Sequence, residues 1–172
     1  MSFYTQDASA HSSDFTIRPF HSDDLPIIQD IRHQAFANIF ADWQNQLGQS
    51  LYGLVYKNVD KEQADYLQEV AMEGRVFVLT CKQGNVAGFI SFSMDLNTGI
   101  GELGLNAVAP AYQGQGCSRL MYEYAFSCMR AKGITAVKVS TGADKAHEPA
   151  RRAYQKVGFQ QGIASTTLLK PL

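Results

Sequence analysis

The 172-residue chain sets 15 Lys and Arg against 16 Asp and Glu, a formal charge of −1, which excludes a general electrostatic attraction to nucleic acid or an anionic membrane. Its length holds one sizeable hydrophobic core, so one domain with one site is expected. Cys81, Cys117 and Cys128 are odd in number and none lies in a C-x-x-C pair, which argues against a disulfide framework or a zinc site and for reduced thiols.

Residues 1–14, rich in Ser, His and Ala, read as a flexible tail without the basic start and apolar stretch of a secretory signal. The chain has no run of about 18 apolar residues, and a cytoplasmic location is expected. A single domain then spans 15–172. "FTIRPF" reads as its first strand. "HSDDLPIIQDIRHQAFANIF" follows with Ser22 or Asp23 as N-cap, and Leu25, Ile28, Ile31, Ala35 and Ile39 near helical spacing. Leu51 to Met72 predicts one or two further helices. In "RVFVLTCKQGNVAGFISFSMD" two β-rich runs meet at a turn in which Gly84 can take positive φ, which makes a hairpin. "IGELGLNAVAP" is extended and is stopped by Pro110. Leu120, Met121, Tyr124, Ala125, Cys128 and Met129 then mark a helix that Gly133 terminates. "ITAVKVS" is a strand, "EPARRAYQKV" a short helix ended by Gly158, and "GFQQGIASTTLLK" a pair of closing strands. This order predicts an α/β sandwich around a mixed sheet.

The segment "VAPAYQGQGCSRLMYEYA", Val108 to Ala125, raises the question of phosphate binding. A dinucleotide fingerprint fails because Arg119 stands where the third glycine belongs, and no Walker string occurs. What remains is a glycine-rich turn at Gly114 and Gly116 leading into a helix whose first N–H groups, from about Gln115 to Arg119, are free for an anion. On this stretch alone, a phosphate loop and a plain tight turn both stand.

A second block, "HEPARRAYQKVGF" (His147 to Phe159), taken together with "AVAPAYQGQGCSRLM", resembles the two signature blocks of the GNAT acetyltransferase superfamily. The family's [QR]-x-x-G-x-[GA] is matched by Gln113, Gly116 and Ser118, and its N-x-x-A-x-x-x-Y-x-x-x-G-F by His147, Ala150, Tyr154, Gly158 and Phe159. Ser118 replaces the usual Gly or Ala, and His147 the usual Asn. The resemblance implies an α/β (α+β) fold, with a mixed, mostly antiparallel sheet of about six to seven strands, about four flanking helices, and a splayed central strand pair forming an acyl-CoA cleft. It also implies an N-acetyltransferase moving acetyl from acetyl-CoA to a primary amine of a small molecule or peptide by direct attack, with no metal. The alternative is an acyl-CoA-binding sensor or interaction module without turnover.

The implied cofactor-binding residues are Asn106, Ala107, Val108, Gln113, Gly114, Gln115, Gly116, Cys117, Ser118 and His147, and Arg119 and Arg151 are candidates for the cofactor's phosphates against the alternative of plain solvated surface. Asn106 to Val108 would supply backbone donors to pantetheine and to the oxyanion of acyl transfer. An amine such as lysine has a pKa of about 10.4 and must lose a proton before it attacks. Glu102 corresponds to the general-base glutamate of the family's histone-modifying branch. On regular alternation it shares a face with Gly104, Asn106 and Val108, and a bulge would reverse that. An exposed strand carboxylate is the competing role, and Asp95 or a water chain would also serve. Tyr154 falls where the family places a general-acid tyrosine, against the alternative of a core tyrosine. Cys117 reads as a small space-filling residue rather than a thiolate. Phe36, Phe40, Trp43 and Tyr52 are wall candidates for the acceptor pocket. Asp23, Asp24, Asp30 and Asp42 suit a cationic acceptor or an ordinary helix surface. The closing strands pair across a homodimer or end in solvent.

Overall fold

Apolar residues at β period in the middle of the chain and at helical period on either side produce one sheet covered on both faces. The computed structural model describes residues 11, 12, 14–160 and 162–172, so the expected tail falls mostly outside it. Its sheet runs in chain order: a two-residue β1 (His11–Ser12), then β2 (Phe15–Pro19), β3 (Val76–Cys81), β4 (Val86–Asp95), β5 (Ile100–Val108) and β6 (Ala136–Val139). Neighbours are antiparallel except β6, which runs parallel to β5. Four helices complete the described chain: α1 (Leu25–Val55), α2 (Val59–Met72), α3 (Cys117–Ala131) and α4 (Glu148–Lys156).

All six residues of β3 are buried, as expected of a strand covered on both faces. On one face Ile28, Ile31, Leu67 and Val70 of α1 and α2 pack on Val76, Val78, Phe89 and Ala107. On the other, Met121, Ala125 and Met129 of α3 and Tyr154 of α4 pack on Phe77, Ile90, Phe92 and Leu103. The mixed sheet and four helices match the sequence reading.

Three details differ from it. Neither Ser22 nor Asp23 caps α1. A 3-10 turn over Ser22–Asp24 precedes the helix, because the Asp24 carboxylate accepts from the His21 N–H at 2.8 Å and from both Arg18 guanidinium nitrogens at 2.7 Å. The first predicted helix also runs on through Leu51 to Val55, kinked at Gly48 (φ 73°), so only α2 is a separate helix. Finally, "GFQQGIASTTLLK" forms no strand among the described residues, and Ile163 and Leu168 are exposed. Alternation in a Ser- and Thr-rich run carries too little apolar area to hold a strand on a sheet edge.

Two irregularities shape β5. Ile90 pairs with Asn106 but Phe92 pairs with Leu103, so Ser91 stands opposite both Gly104 and Leu105 in a β-bulge. Pairing with β6 covers only Ile100 to Leu103, after which β5 runs on to Val108 paired with β4 alone. This divergence is the expected splayed strand pair.

The Arg18 hydrogen bonds hold the Asp24 carboxyl below the usual carboxylate range, against the opposing effect of its burial. Its stabilisation is therefore complete above the unfolded value of about 3.9 and is lost as pH falls through the lower folded value. Asp24→Asn should cost on the order of 2 kcal/mol at neutral pH. It should also flatten the fall in stability below about pH 4, as read from urea melts between pH 2.5 and 7.

Candidate active site

Where β5 and β6 part, the structure opens a cleft of about 1360 Å³. Residues 102–108 form its floor, the Gly-rich turn and the start of α3 one end, and His147 to Tyr154 a side. Gln34, Phe36 and Asn38 of α1 and Tyr66 of α2 close the opposite wall.

The turn is built for backbone exposure. Gly114 and Gly116 have φ of 77° and 82°, and a Cβ on either would meet nothing within 4 Å. Glycine is therefore favoured by backbone conformation rather than by crowding. Gly116 is the N-cap of α3, and Leu120 N–H bonds back to Gly116 O at 3.1 Å. The N–H groups of Cys117, Ser118 and Arg119 precede that first bond and have no acceptor within the helix.

Gln113 donates to Val108 O at 3.2 Å and Gln115 to Ala111 O at 3.0 Å. Both amides thus brace the turn, and Gln115 does not line the cleft. Cys117 is buried, which pushes its thiol pKa up and makes it space-filling, as expected. Arg119 lines the cleft but is bound to Glu123 at 2.6 Å.

The core of the site is a bond set around Asn106. Its Nδ2 lies 2.9 Å from Gly104 O and 3.1 Å from Tyr154 Oη, and its Oδ1 lies 2.9 Å from Tyr122 Oη. A carbonyl only accepts, so Gly104 O fixes the amide orientation. Oδ1 must then accept the Tyr122 proton, while Tyr154 Oη accepts from Asn106, so the amide does not take the Tyr154 proton. Burial raises both phenol pKa values, and for Tyr154 the Asn106 and Tyr122 hydrogen bonds oppose part of that rise. Of the two neighbouring phenols, Tyr122 gives its proton to Asn106 and Tyr154 does not.

At the start of α4, His147 Nδ1 lies 2.7 and 2.8 Å from the two Asp144 oxygens, and His147 N–H donates to Asp144 at 3.0 Å. Burial works against the Asp144 carboxylate, yet the bonds from His147, with another from Trp43, hold its pKa below the usual range. Arg151 donates to the carbonyls of Gly142 (2.5 Å) and Asp144 (2.7 Å) and does not line the cleft. Its expected place at the cofactor is corrected accordingly: its guanidinium is taken up in shaping the 142–147 turn.

The bulge decides Glu102. Leu103, Asn106 and Val108 face α3 and α4, so Glu102 falls with Leu105 and Ala107 on the α1 and α2 side, not with Asn106 and Val108. Glu102 lines the cleft, but it pairs with Lys138 at 3.1 Å and its side chain is 40% exposed. Asp95 is occupied elsewhere, accepting from the N–H groups of Asn97 and Thr98 in the β4–β5 turn.

Among the early aromatics, Phe36 lines the cleft, Phe40 packs between Phe36 and Trp43, and Trp43 lies over His147 at 6.3 Å between ring centres. Tyr52 packs on Tyr56 instead. None of Asp23, Asp24, Asp30 and Asp42 lines the cleft. Sequence reasoning missed Tyr122 and Asp144. Tyr122 was readable as the i+4 neighbour of Ser118, and Asp144 as the i−3 neighbour of His147.

Comparison with known proteins agrees with this architecture. The model of the GNAT acetyltransferase family matches residues 33–159, and the chain belongs to that family. The ribosomal-protein-S18-alanine N-acetyltransferase of Escherichia coli is similar over 87% of this chain and 79% of its own, with 22% identity and a TM-score of 0.59. A GNAT acetyltransferase from Brucella melitensis, solved with acetyl-CoA, is similar over 86% and 83%, with 20% identity and a TM-score of 0.58. The aminoglycoside N-acetyltransferase AAC(6')-Iy, bound to a bisubstrate analogue, is similar over 93% and 100%, with 15% identity and a TM-score of 0.59. At these identities the likeness is one of fold. No curated protein sequence matches the chain significantly. Among the described residues no helix is long and apolar enough to cross a membrane, and no His, Cys, Asp and Glu cluster is arranged to hold a metal ion.

Gly142 tests the histidine's seat. A Cβ there would collide with Asp144 Oδ2 and with His147 Nδ1. Gly142→Ala should therefore break the Asp144–His147 pair and cost about 1–3 kcal/mol through overpacking. The downfield Nδ1–H proton resonance of His147 should disappear from the NMR spectrum while the fold is retained.

Proposed function

We propose that the protein transfers the acetyl group of acetyl-CoA to a primary amine of a small molecule or peptide by direct attack, without an acyl-enzyme. The observation that carries this is one cleft joining a β5 backbone unpaired on its β6 side, an anion-accepting helix start and a tyrosine whose proton the Asn106 amide does not take.

The residues present fit the donor. Beyond Leu103 the β5 backbone has no strand partner on its β6 side, and such groups call for a polar partner; the amide-bearing pantetheine arm is one. At the end of that groove the Cys117 to Arg119 N–H groups and the open space at Gly114 and Gly116 suit a pyrophosphate. Ser118 adds a hydroxyl there, which bonds Tyr122. Bound acetyl-CoA supplies an acyl thioester and, on transfer, a thiolate.

Tyr154 holds the proton that thiolate needs. Asn106 pins its oxygen, and Tyr122 is prevented from competing because its own proton is given to Asn106 Oδ1. The amine needs a proton acceptor, and the cleft wall offers two candidates, Glu102 and His147. The α1 and α2 wall, with Gln34, Phe36, Asn38 and Tyr66, receives the acceptor.

The test begins with thermal unfolding in acetyl-CoA, with CoA, NADH and ATP as comparisons. At about 100 times its Kd, acetyl-CoA should add roughly 2.7 kcal/mol. Turnover is then followed on spermidine, an aminoglycoside, a lysine peptide and a peptide with N-terminal alanine. Tyr154→Phe should keep the acetyl-CoA shift and lower kcat on the order of 10²-fold. Because its pKa is raised, wild-type activity should fall only above the ordinary tyrosine value of about 10. An acetyl-CoA shift with no turnover on any amine would identify a binding module instead.

A further inference from the structure

We infer that His147, held by Asp144, is the general base that takes the proton of the acceptor amine; this rests on the acetyltransferase reading above. The family block has Asn at this position, and an amide has no comparable basicity, so the histidine adds a chemical capacity.

The structure selects one tautomer of the neutral ring. The Asp144 carboxylate only accepts, so Nδ1, at 2.7 Å, carries a proton, and in the neutral ring Nε2 presents its lone pair. Nε2 makes no hydrogen bond among the described residues, and His147 lines the cleft with its side chain 13% exposed. Three further residues serve the pair. Gly142 leaves room where a Cβ would strike both members. Arg151 ties down the carbonyls of Gly142 and Asp144, and Trp43 reaches across from α1 to the ring and to Asp144. The charged groups around the imidazole are thus Asp144 from its loop and Arg151 from α4, with the neutral indole from α1. Glu148, next along α4, is bound to Arg152.

Glu102 is the weaker candidate on geometry. It lies on the part of β5 still paired with β6, its carboxylate already on Lys138. His147 and Tyr154 are seven residues apart on one face of α4, about 10 Å along the axis.

The proton count closes. The ammonium gives one proton to Nε2, directly or through one water. The nitrogen lone pair forms the C–N bond as the C–S bond breaks, and the thiolate takes the Tyr154 proton. The second nitrogen proton, released as the amide forms, replaces it on Tyr154. His147 returns its proton to solvent.

The decisive variant is His147→Asn, which keeps a hydrogen-bonding group, compared with Asp144→Asn and Glu102→Gln in the full chain. With an alkyl amine that wild type acetylates, kcat/KM of His147→Asn should fall on the order of 10²-fold near pH 7. The acid limb of its pH profile should vanish, while the acetyl-CoA thermal shift stays. The defect should shrink with hydroxylamine, which is already unprotonated, and added imidazole should restore part of the rate of His147→Ala. Asp144→Asn should lower the rate and displace the same limb. A wild-type limb and rate in His147→Asn, or a limb lost only in Glu102→Gln, overturns the inference and leaves the acetyltransferase reading intact. Wild-type protein that neither binds acetyl-CoA nor acetylates an amine overturns both.

Discussion

The bulge at Gly104 and Leu105 is the constraint on which the site depends. It is held by the buried Ser91, whose hydroxyl donates to Leu105 O at 3.1 Å. It also needs glycine at 104, because a Cβ there would stand 2.5 Å from that same hydroxyl oxygen. One extra residue in β5 reverses the facing of everything beyond it. Without it, Glu102 and Asn106 would share a face. With it, Asn106 turns to Tyr122 and Tyr154 while Glu102 turns to α1 and α2. The bulge comes just where β5 leaves β6, so the same few residues open the groove and aim its chemistry.

Asn106 converts that backbone feature into a proton assignment. Its amide is oriented by Gly104 O, a bulge carbonyl, so the strand irregularity dictates which phenol gives its proton to the amide and which accepts from it. Two tyrosines 5.2 Å apart between ring centres, both with pKa values raised by burial, would otherwise be equivalent. The amide breaks the symmetry by accepting from one and donating to the other. Preorganisation of this kind acts before substrate arrives and costs no rearrangement during transfer.

Much of this was legible in the sequence, and the boundary has a physical cause. The hairpin at Gly84, the strand stopped by Pro110 and the α3 helix follow from local periodicity and turn chemistry, which act over a few residues. The Gly-rich turn and Tyr154 were found by motif spacing. The bulge was not legible, since Gly104 reads as one more strand residue until Ser91 is placed opposite it. Arg151 looked like a phosphate ligand because its loop partners are backbone carbonyls, which any sequence supplies. The closing strands failed for the opposite reason: "GFQQGIASTTLLK" has local β character, but a strand needs an edge and area to bury.

His147 shows why a departure from a family pattern is best judged with its surroundings. Placing an imidazole where Asn is usual, in a frame without the Gly142 gap, would force the ring off Asp144. Without Asp144, either nitrogen could carry the proton, and the group facing the cleft would be undefined. Without Arg151, the turn bearing both residues would lose its two carbonyl anchors. Trp43 belongs to α1, more than a hundred residues away in sequence, and still packs against the ring. A neutral exchange of Asn for His would require none of these. Their convergence on one tautomer argues that the cleft uses the lone pair it presents.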